Sequence, residues 1–254
     1  MSLIDAIIIG LVQGITEFLP ISSSGHLVII QNLLNVNLPG NLIEVAAHLG
    51  TLLSIILIYR KEILNLIINI RLEKTKKYIL FIIIGTLPSV FFVLYAKSFI
   101  LEMFESVKSV SVALIITGLV LFLSNFKSKR NENINLKKGL FIGLAQACAI
   151  IPGISRSGMT ISAALIFGVS NKEAAKFSFL LAIPAILGAI IITAIDLKYE
   201  FASIIWFPIV ITSITAFISG YFALKILIKL LENGKFYYFA YYCLLLGLIT
   251  LIIT

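Results

Sequence analysis

Five charged or titratable side chains fall inside long apolar stretches of this sequence: Glu17, His26, Glu44, His48 and Arg156. An ionisable group at such depth costs roughly 2.5–3.5 kcal/mol on insertion scales, so each is a candidate for function. Three of them occupy two polar motifs. The first reads Gln13-Gly-Ile-Thr-Glu17-Phe-Leu-Pro20-Ile-Ser22-Ser23-Ser24-Gly25-His26. Gln13 and Glu17, four apart, share one helix face. Pro20 ends that helix, since its ring and missing N–H break the hydrogen-bond ladder. Ser22, Ser23 and Ser24 open a second helix, where unpaired N–H groups and the dipole favour an anion. Gly25 allows the backbone a close approach to a ligand. The second motif, Pro152-Gly-Ile-Ser155-Arg156-Ser157-Gly158, repeats the design with a cation added.

These residue types suit a phosphoryl group. The planar Arg156 fork matches phosphate oxygens, and the helix-start serines with Gly25 and Gly158 would line the substrate. In this reading Ser23 attacks phosphorus and Glu17 or His26 takes its proton. Direct attack by water, with the same bases, is the alternative. A structural arrangement fits too: serine N-caps on membrane helices, and an Arg156–Glu17 ion pair between the motifs. Glu44 and His48, four apart on one face, could hold a divalent cation with Glu17, or pair with each other.

The elements that must position these residues are membrane helices. Of the 254 residues 60% are hydrophobic and 13% charged, and mean hydropathy is +1.09. A soluble domain carries about a quarter charged residues. Apolar runs at Leu42–Tyr59, Tyr78–Ala96, Ser109–Phe126, Phe177–Ile195 and Tyr237–Thr254 approach or reach the roughly 20 residues that cross a bilayer. The alternating ten-residue segments of a membrane barrel are absent. The net charge of +8 is concentrated in loops beside spans, which indicates orientation and anionic lipid rather than nucleic acid. The first apolar run carries Asp5, Gln13 and Glu17 and reads as mature structure rather than a signal peptide. Cys148 and Cys243 read as inert buried thiols. The Tyr237–Tyr242 cluster reads as an interfacial aromatic belt.

An internal repeat organises the chain. Gly10-Leu-Val-Gln13 recurs 133 residues on as Gly143-Leu-Ala-Gln146, and Ile21-Ser-Ser-Ser-Gly25 as Ile154-Ser-Arg-Ser-Gly158. Each half opens with a broken pair of short helices, 3–18 with 22–34 and 139–150 with 156–168, followed by three longer spans. The expected fold is therefore all-α and polytopic, a single membrane domain of two inverted-topology repeats, 1–126 and 134–254, joined by a basic cytoplasmic linker at 127–138. Each repeat is a re-entrant broken pair plus three transmembrane helices, and three crossings turn the second half upside down. With the termini outside, the inner segments 60–77, 126–138, 169–176 and 225–235 collect sixteen of the twenty Lys and Arg, whereas the outer 35–41, 97–108 and 196–202 hold three. Inverted repeats with broken helices put the site near the midplane, where the two tips meet.

At these motifs the sequence resembles the undecaprenyl-diphosphatase family linked to bacitracin resistance. That family shares a motif of Glu or Gln, Glu four residues later, then P-x-S-S-[ST]-G-H, and a second of P-G-x-S-R-S-G. Gln13, Glu17, Pro20, Ser22 through His26, and Pro152 through Gly158 match these, and the Glu44-Val-Ala-Ala-His48-Leu-Gly50 stretch also fits. The resemblance implies a multi-pass enzyme of the inner (plasma) membrane, with its site open to the outer face. It implies hydrolysis of undecaprenyl diphosphate to the monophosphate and inorganic phosphate, with a divalent cation, Mg2+ or Ca2+. Its partners would be the lipid substrate and membrane lipids, and a homodimer is compatible with it. Many members have Glu at the place of Gln13, which removes one charge for a metal here. The rival from another class is a secondary transporter or flippase of a phosphorylated lipid or anion, because inverted repeats with broken helices also build transporters.

Overall fold

A computed structural model describes residues 1–34, 42–126, 131–196 and 206–253. The outer segments 35–41 and 197–202 and residues 127–130 of the basic linker lie outside the described residues. Eleven α-helices form among the described residues: α1 (Leu3–Phe18), α2 (Ser23–Leu34), α3 (Leu42–Ile58), α4 (Arg60–Ile68), α5 (Glu73–Glu105), α6 (Val107–Leu123), α7 (Leu136–Cys148), α8 (Arg156–Ile166), α9 (Asn171–Asp196), α10 (Trp206–Glu232) and α11 (Tyr238–Ile253). An isolated bridge joins Glu132 to Val169. The broken pairs fall where Pro20 and the Pro152-Gly153 turn predict them, as α1–α2 and α7–α8.

Among the described residues four helices are long and apolar enough to cross a membrane: α5 over Glu73–Ala96, α6 continuing to Phe126, α9 over Asn171–Ile192, and α10. A fifth span is available if α3 and α4, bent by 71° at Tyr59, count as one. Helix α11, with 16 residues, is shorter. The segment 60–77, expected as a loop, contains helix α4, none of whose residues is buried. Its charged start, Arg60-Lys61-Glu62, cannot continue into hydrocarbon, so the chain turns sharply after Tyr59. The chain is a multi-pass helical membrane protein.

Packing relies on small residues, because in lipid the close approach of backbones replaces a water-driven hydrophobic force. Helix α10 lies against both α1 and α3. A Cβ at Gly10 would come 2.7 Å from the Thr212 carbonyl oxygen, and one at Gly143 would collide with the Gly85 backbone of α5. Hydroxyls stitch these contacts: Thr212 Oγ1 donates to the Ala6 carbonyl at 3.2 Å, Ser54 Oγ to that of Phe217 at 2.8 Å, and Ser213 Oγ to that of Ala46. The repeat offset also links packing partners. Helix α1 rests on α10, and its counterpart α7 rests on α5, the counterpart of α10; α6 and α11, counterparts of each other, pack together. The largest buried cluster runs from Phe18 through Phe179 to Tyr59, with ring centroids 5.7 and 6.1 Å apart.

Candidate active site

Both broken pairs turn back at a serine-capped helix start, and the capping is the same. At the start of α2, Ser22 Oγ accepts from the Gly25 N–H at 3.3 Å and lies 3.2 Å from Ser24 Oγ. At the start of α8, Ser155 Oγ accepts from the Gly158 N–H at 3.1 Å and lies 3.3 Å from Ser157 Oγ. These hydroxyls satisfy first-turn N–H groups that a helix leaves without partners. The two tips touch. A Cβ at Gly25 would lie 3.5 Å from Gly153 Cα, and one at Gly158 would lie 3.3 Å from Pro20 Cβ. Val110 of α6, at 3.2 Å, and the Ser155 cap, at 3.1 Å, come closer still to these positions at Gly25 and Gly158 respectively, so protein atoms rather than a ligand crowd both glycines. Outer helices brace the tips: Thr117 of α6 bridges the Gly153 carbonyl (3.2 Å) and the Ser155 N–H (3.1 Å), while Cys243 Sγ of α11 reaches the Pro20 carbonyl at 3.4 Å.

Glu17 lies where the tips meet, with a side chain only 6% exposed. Its two oxygens serve different halves of the molecule. Oε1 accepts from Arg156 Nη2 at 2.5 Å; Oε2 accepts from Ser23 Oγ at 2.6 Å and from Gln13 Nε2 at 3.1 Å. The ion pair between the motifs, one of the two readings open from sequence, is thus formed, and Ser23 is aimed at the carboxylate beside it. Ser23 and Arg156 each hold the first position of their helix, 133 residues apart. Two buried polar atoms here have no hydrogen-bond partner, Arg156 Nη1 and Gln13 Oε1. Such atoms call for a ligand or water: the guanidinium N–H for an anionic oxygen, the amide oxygen for a donor or a cation.

The histidines are held differently. His26 Nδ1 donates to the Ser22 carbonyl at 2.8 Å, which leaves Nε2 as an acceptor, 2.7 Å from the Tyr242 hydroxyl. Both nitrogens are engaged away from Ser23, so the carboxylate of Glu17, rather than His26, is placed to take the serine proton. Tyr242 was not separable in the sequence from the tyrosines around it. His48 Nδ1 donates to the backbone carbonyl of Glu44 at 2.6 Å, and its Nε2 faces Glu17 Oε2 at 3.7 Å. Glu44 thus bonds His48 through its main chain. Among the described residues no three His, Cys, Asp or Glu side chains cluster as a metal site. The donors grouped here are Glu17, the unpaired Gln13 Oε1 and, from α3, His48 Nε2. Their oxygen and imidazole chemistry suits one divalent cation shared with a substrate. Of the cysteines, Cys243 is buried, but Cys148 is exposed: it lies two positions beyond buried Gln146, near the opposite face of α7.

The fold and site define a class: a multi-pass helical membrane protein in which two helix starts enclose a carboxylate, a hydroxyl and a guanidinium. Residues 6–249 match the family described as bacitracin resistance protein BacA, and the chain belongs to that family. It is 40% identical to an undecaprenyl-diphosphatase of Carboxydothermus hydrogenoformans, over 100% of this chain and 98% of that protein. It is 39% identical to one of Halothermothrix orenii, over 100% and 98%. It is also 38% identical to undecaprenyl-diphosphatase 3 of Bacillus anthracis, over 97% and 96%.

Proposed function

We propose that this chain is an undecaprenyl-diphosphatase, which hydrolyses undecaprenyl diphosphate to undecaprenyl phosphate and inorganic phosphate. The product returns to cell-wall synthesis, and this opposes bacitracin. The observation that carries the reading is the Glu17 carboxylate, held between the Ser23 hydroxyl at 2.6 Å and the Arg156 guanidinium at 2.5 Å. Nucleophile and phosphate clamp share one carboxylate, which serves as the base. Ser23 Oγ attacks the terminal phosphorus while its proton passes to Glu17. The bond from that phosphorus to the bridging oxygen breaks, and undecaprenyl phosphate departs. Water then attacks the phosphoserine, which releases phosphate and restores the hydroxyl. Arg156 Nη1, without a partner, and the first-turn N–H groups of α2 and α8 bind the phosphoryl oxygens; Ser24 and Ser157 line the same approach. A divalent cation, Mg2+ or Ca2+, held by Glu17, Gln13 Oε1 and His48 Nε2, would neutralise charge developing on the diphosphate.

The reading extends to topology. Two inverted repeats, termini outside and the site open to the outer face of the plasma membrane, agree with the exchange of packing partners under the repeat offset and with the basic inner loops. Cysteine placed at Lys74 should then resist an impermeant thiol reagent applied to intact cells, and labelling there would overturn this orientation. The decisive assay for function is phosphate release from undecaprenyl diphosphate by the purified protein in detergent. A transporter or flippase would release none.

A further inference from the structure

The two tips differ in three places at once. Ser22 sits at φ 68°, a left-handed conformation that is strained for a residue with a Cβ, whereas its counterpart Ser155 sits at φ −75°. His26 has Met159 as its counterpart, and Tyr242 has Ser109. Strain of this kind persists only where surrounding contacts over-determine it. Here the contacts form a chain. The Ser22 carbonyl receives the His26 backbone N–H at 3.3 Å and its ring Nδ1–H at 2.8 Å. The Tyr242 hydroxyl donates to His26 Nε2 at 2.7 Å, and the two rings lie 13° from parallel with centroids 5.8 Å apart. Next along the chain from Ser22 is Ser23, aimed at Glu17.

We propose that Tyr242 is a positioning residue for phosphoryl transfer. It locks His26 with the proton on Nδ1, His26 holds the Ser22 carbonyl, and the left-handed turn then points Ser23 at its base. The second tip has neither the histidine nor the tyrosine, and no strained serine; all three occur on the tip whose next residue, Ser23, contacts Glu17. Cys243 on the Pro20 carbonyl docks the first tip against α11 independently, so loss of the Tyr242 hydroxyl leaves that contact in place. The kinetic part of this inference rests on the phosphatase reading above.

Tyr242→Phe keeps the ring and removes one O–H. Phosphate release from undecaprenyl or farnesyl diphosphate should fall about tenfold in kcat, with KM within about twofold and an unchanged melting temperature. Tyr241→Phe, at a residue 56% exposed on the same helix, should alter none of these. The chain has two histidines, so spectra of protein labelled with 15N-histidine resolve His26 by difference from a His48→Gln sample. His26 should show a single tautomer protonated on Nδ1 in the wild type and a mixture in Tyr242→Phe. Unchanged kcat, or an unchanged tautomer, overturns the proposal, as does a rise in KM alone, which would make Tyr242 a substrate contact. If the wild type releases no phosphate, the phosphatase reading fails, and the 15N pattern still decides whether Tyr242 sets His26.

Discussion

At the start of α2, Ser22 caps the helix and Ser23 follows; at the start of α8, Ser155 caps the helix and Arg156 follows. The caps agree to within a few tenths of an ångström, 3.3 against 3.1 Å to the glycine N–H, yet the residues beyond them diverge. Glu17 has Ile150 as its counterpart, and His26 has Met159. Gln13 and Gln146 are both retained, but only Gln13 finds a carboxylate, and both amide atoms of Gln146 are buried without a partner. The duplicated backbone supplies two anion-friendly helix starts. Under the proposed mechanism the chemistry is divided, with base and nucleophile on one tip and clamp on the other, so that activity would depend on the contact between the halves.

The sharpest test of this division is Glu17→Gln, which removes the group both tips share. Phosphate release should fall by about 10²–10⁴-fold, as for loss of a general base, in protein that still purifies as a folded monodisperse species. Wild-type turnover in this variant would make Glu17 a structural carboxyl and the tips a mere packing device. Arg156→Lys comes next, because it keeps the charge and loses the fork; kcat/KM should drop on the order of 10²-fold. Arg156→Ala separates clamp from strut. It leaves Glu17 buried without its cation and should destabilise by about 3–5 kcal/mol. Adding Glu17→Gln should recover much of the melting temperature but none of the activity. If activity returned with stability, Arg156 would be serving only the fold. The smallest effects concern the caps. Ser22→Gly relieves a left-handed serine while losing a cap, and should raise stability by about 1 kcal/mol at the expense of turnover. Ser155→Gly has no strain to relieve and should lower stability by a few tenths to about 1 kcal/mol. Equal shifts at both positions would erase the asymmetry on which the role of Tyr242 depends.

Much of this was legible along the chain because the signals are local. Pro20 and the Pro152-Gly153 turn end their helices by backbone sterics, and serines followed by apolar helical runs mark caps, so α1–α2 and α7–α8 appeared at nearly the expected bounds. Glu17 and Arg156 stood out because a charge in an apolar stretch is costly. Other features were not local. Helix α4 replaced part of an expected loop, because the chain stays helical beyond the 71° bend where the apolar Leu42–Ile58 run meets Arg60-Lys61-Glu62. Cys148 turned outward because the face of α7 is set by its packing on α5, through Gly143 and Gly85. Glu44 and His48 share a face, as their spacing requires, but their bond uses the Glu44 carbonyl, and His48 turns its Nε2 to Glu17.

The sequence by itself therefore determined the class of the protein, the two broken helix pairs, their repeat relation and the short roster of ionisable residues. Each follows from composition, periodicity or the stereochemistry of neighbouring residues. Only the tertiary structure decided that Arg156 meets Glu17, that Ser23 rather than His26 contacts that carboxylate, and that Tyr242 among its neighbouring tyrosines reaches His26. These contacts join residues 139, 6 and 216 positions apart. The two long-range ones depend on how helices from opposite halves pack in lipid. The short one crosses the turn at Ser22, whose left-handed backbone is held from α11.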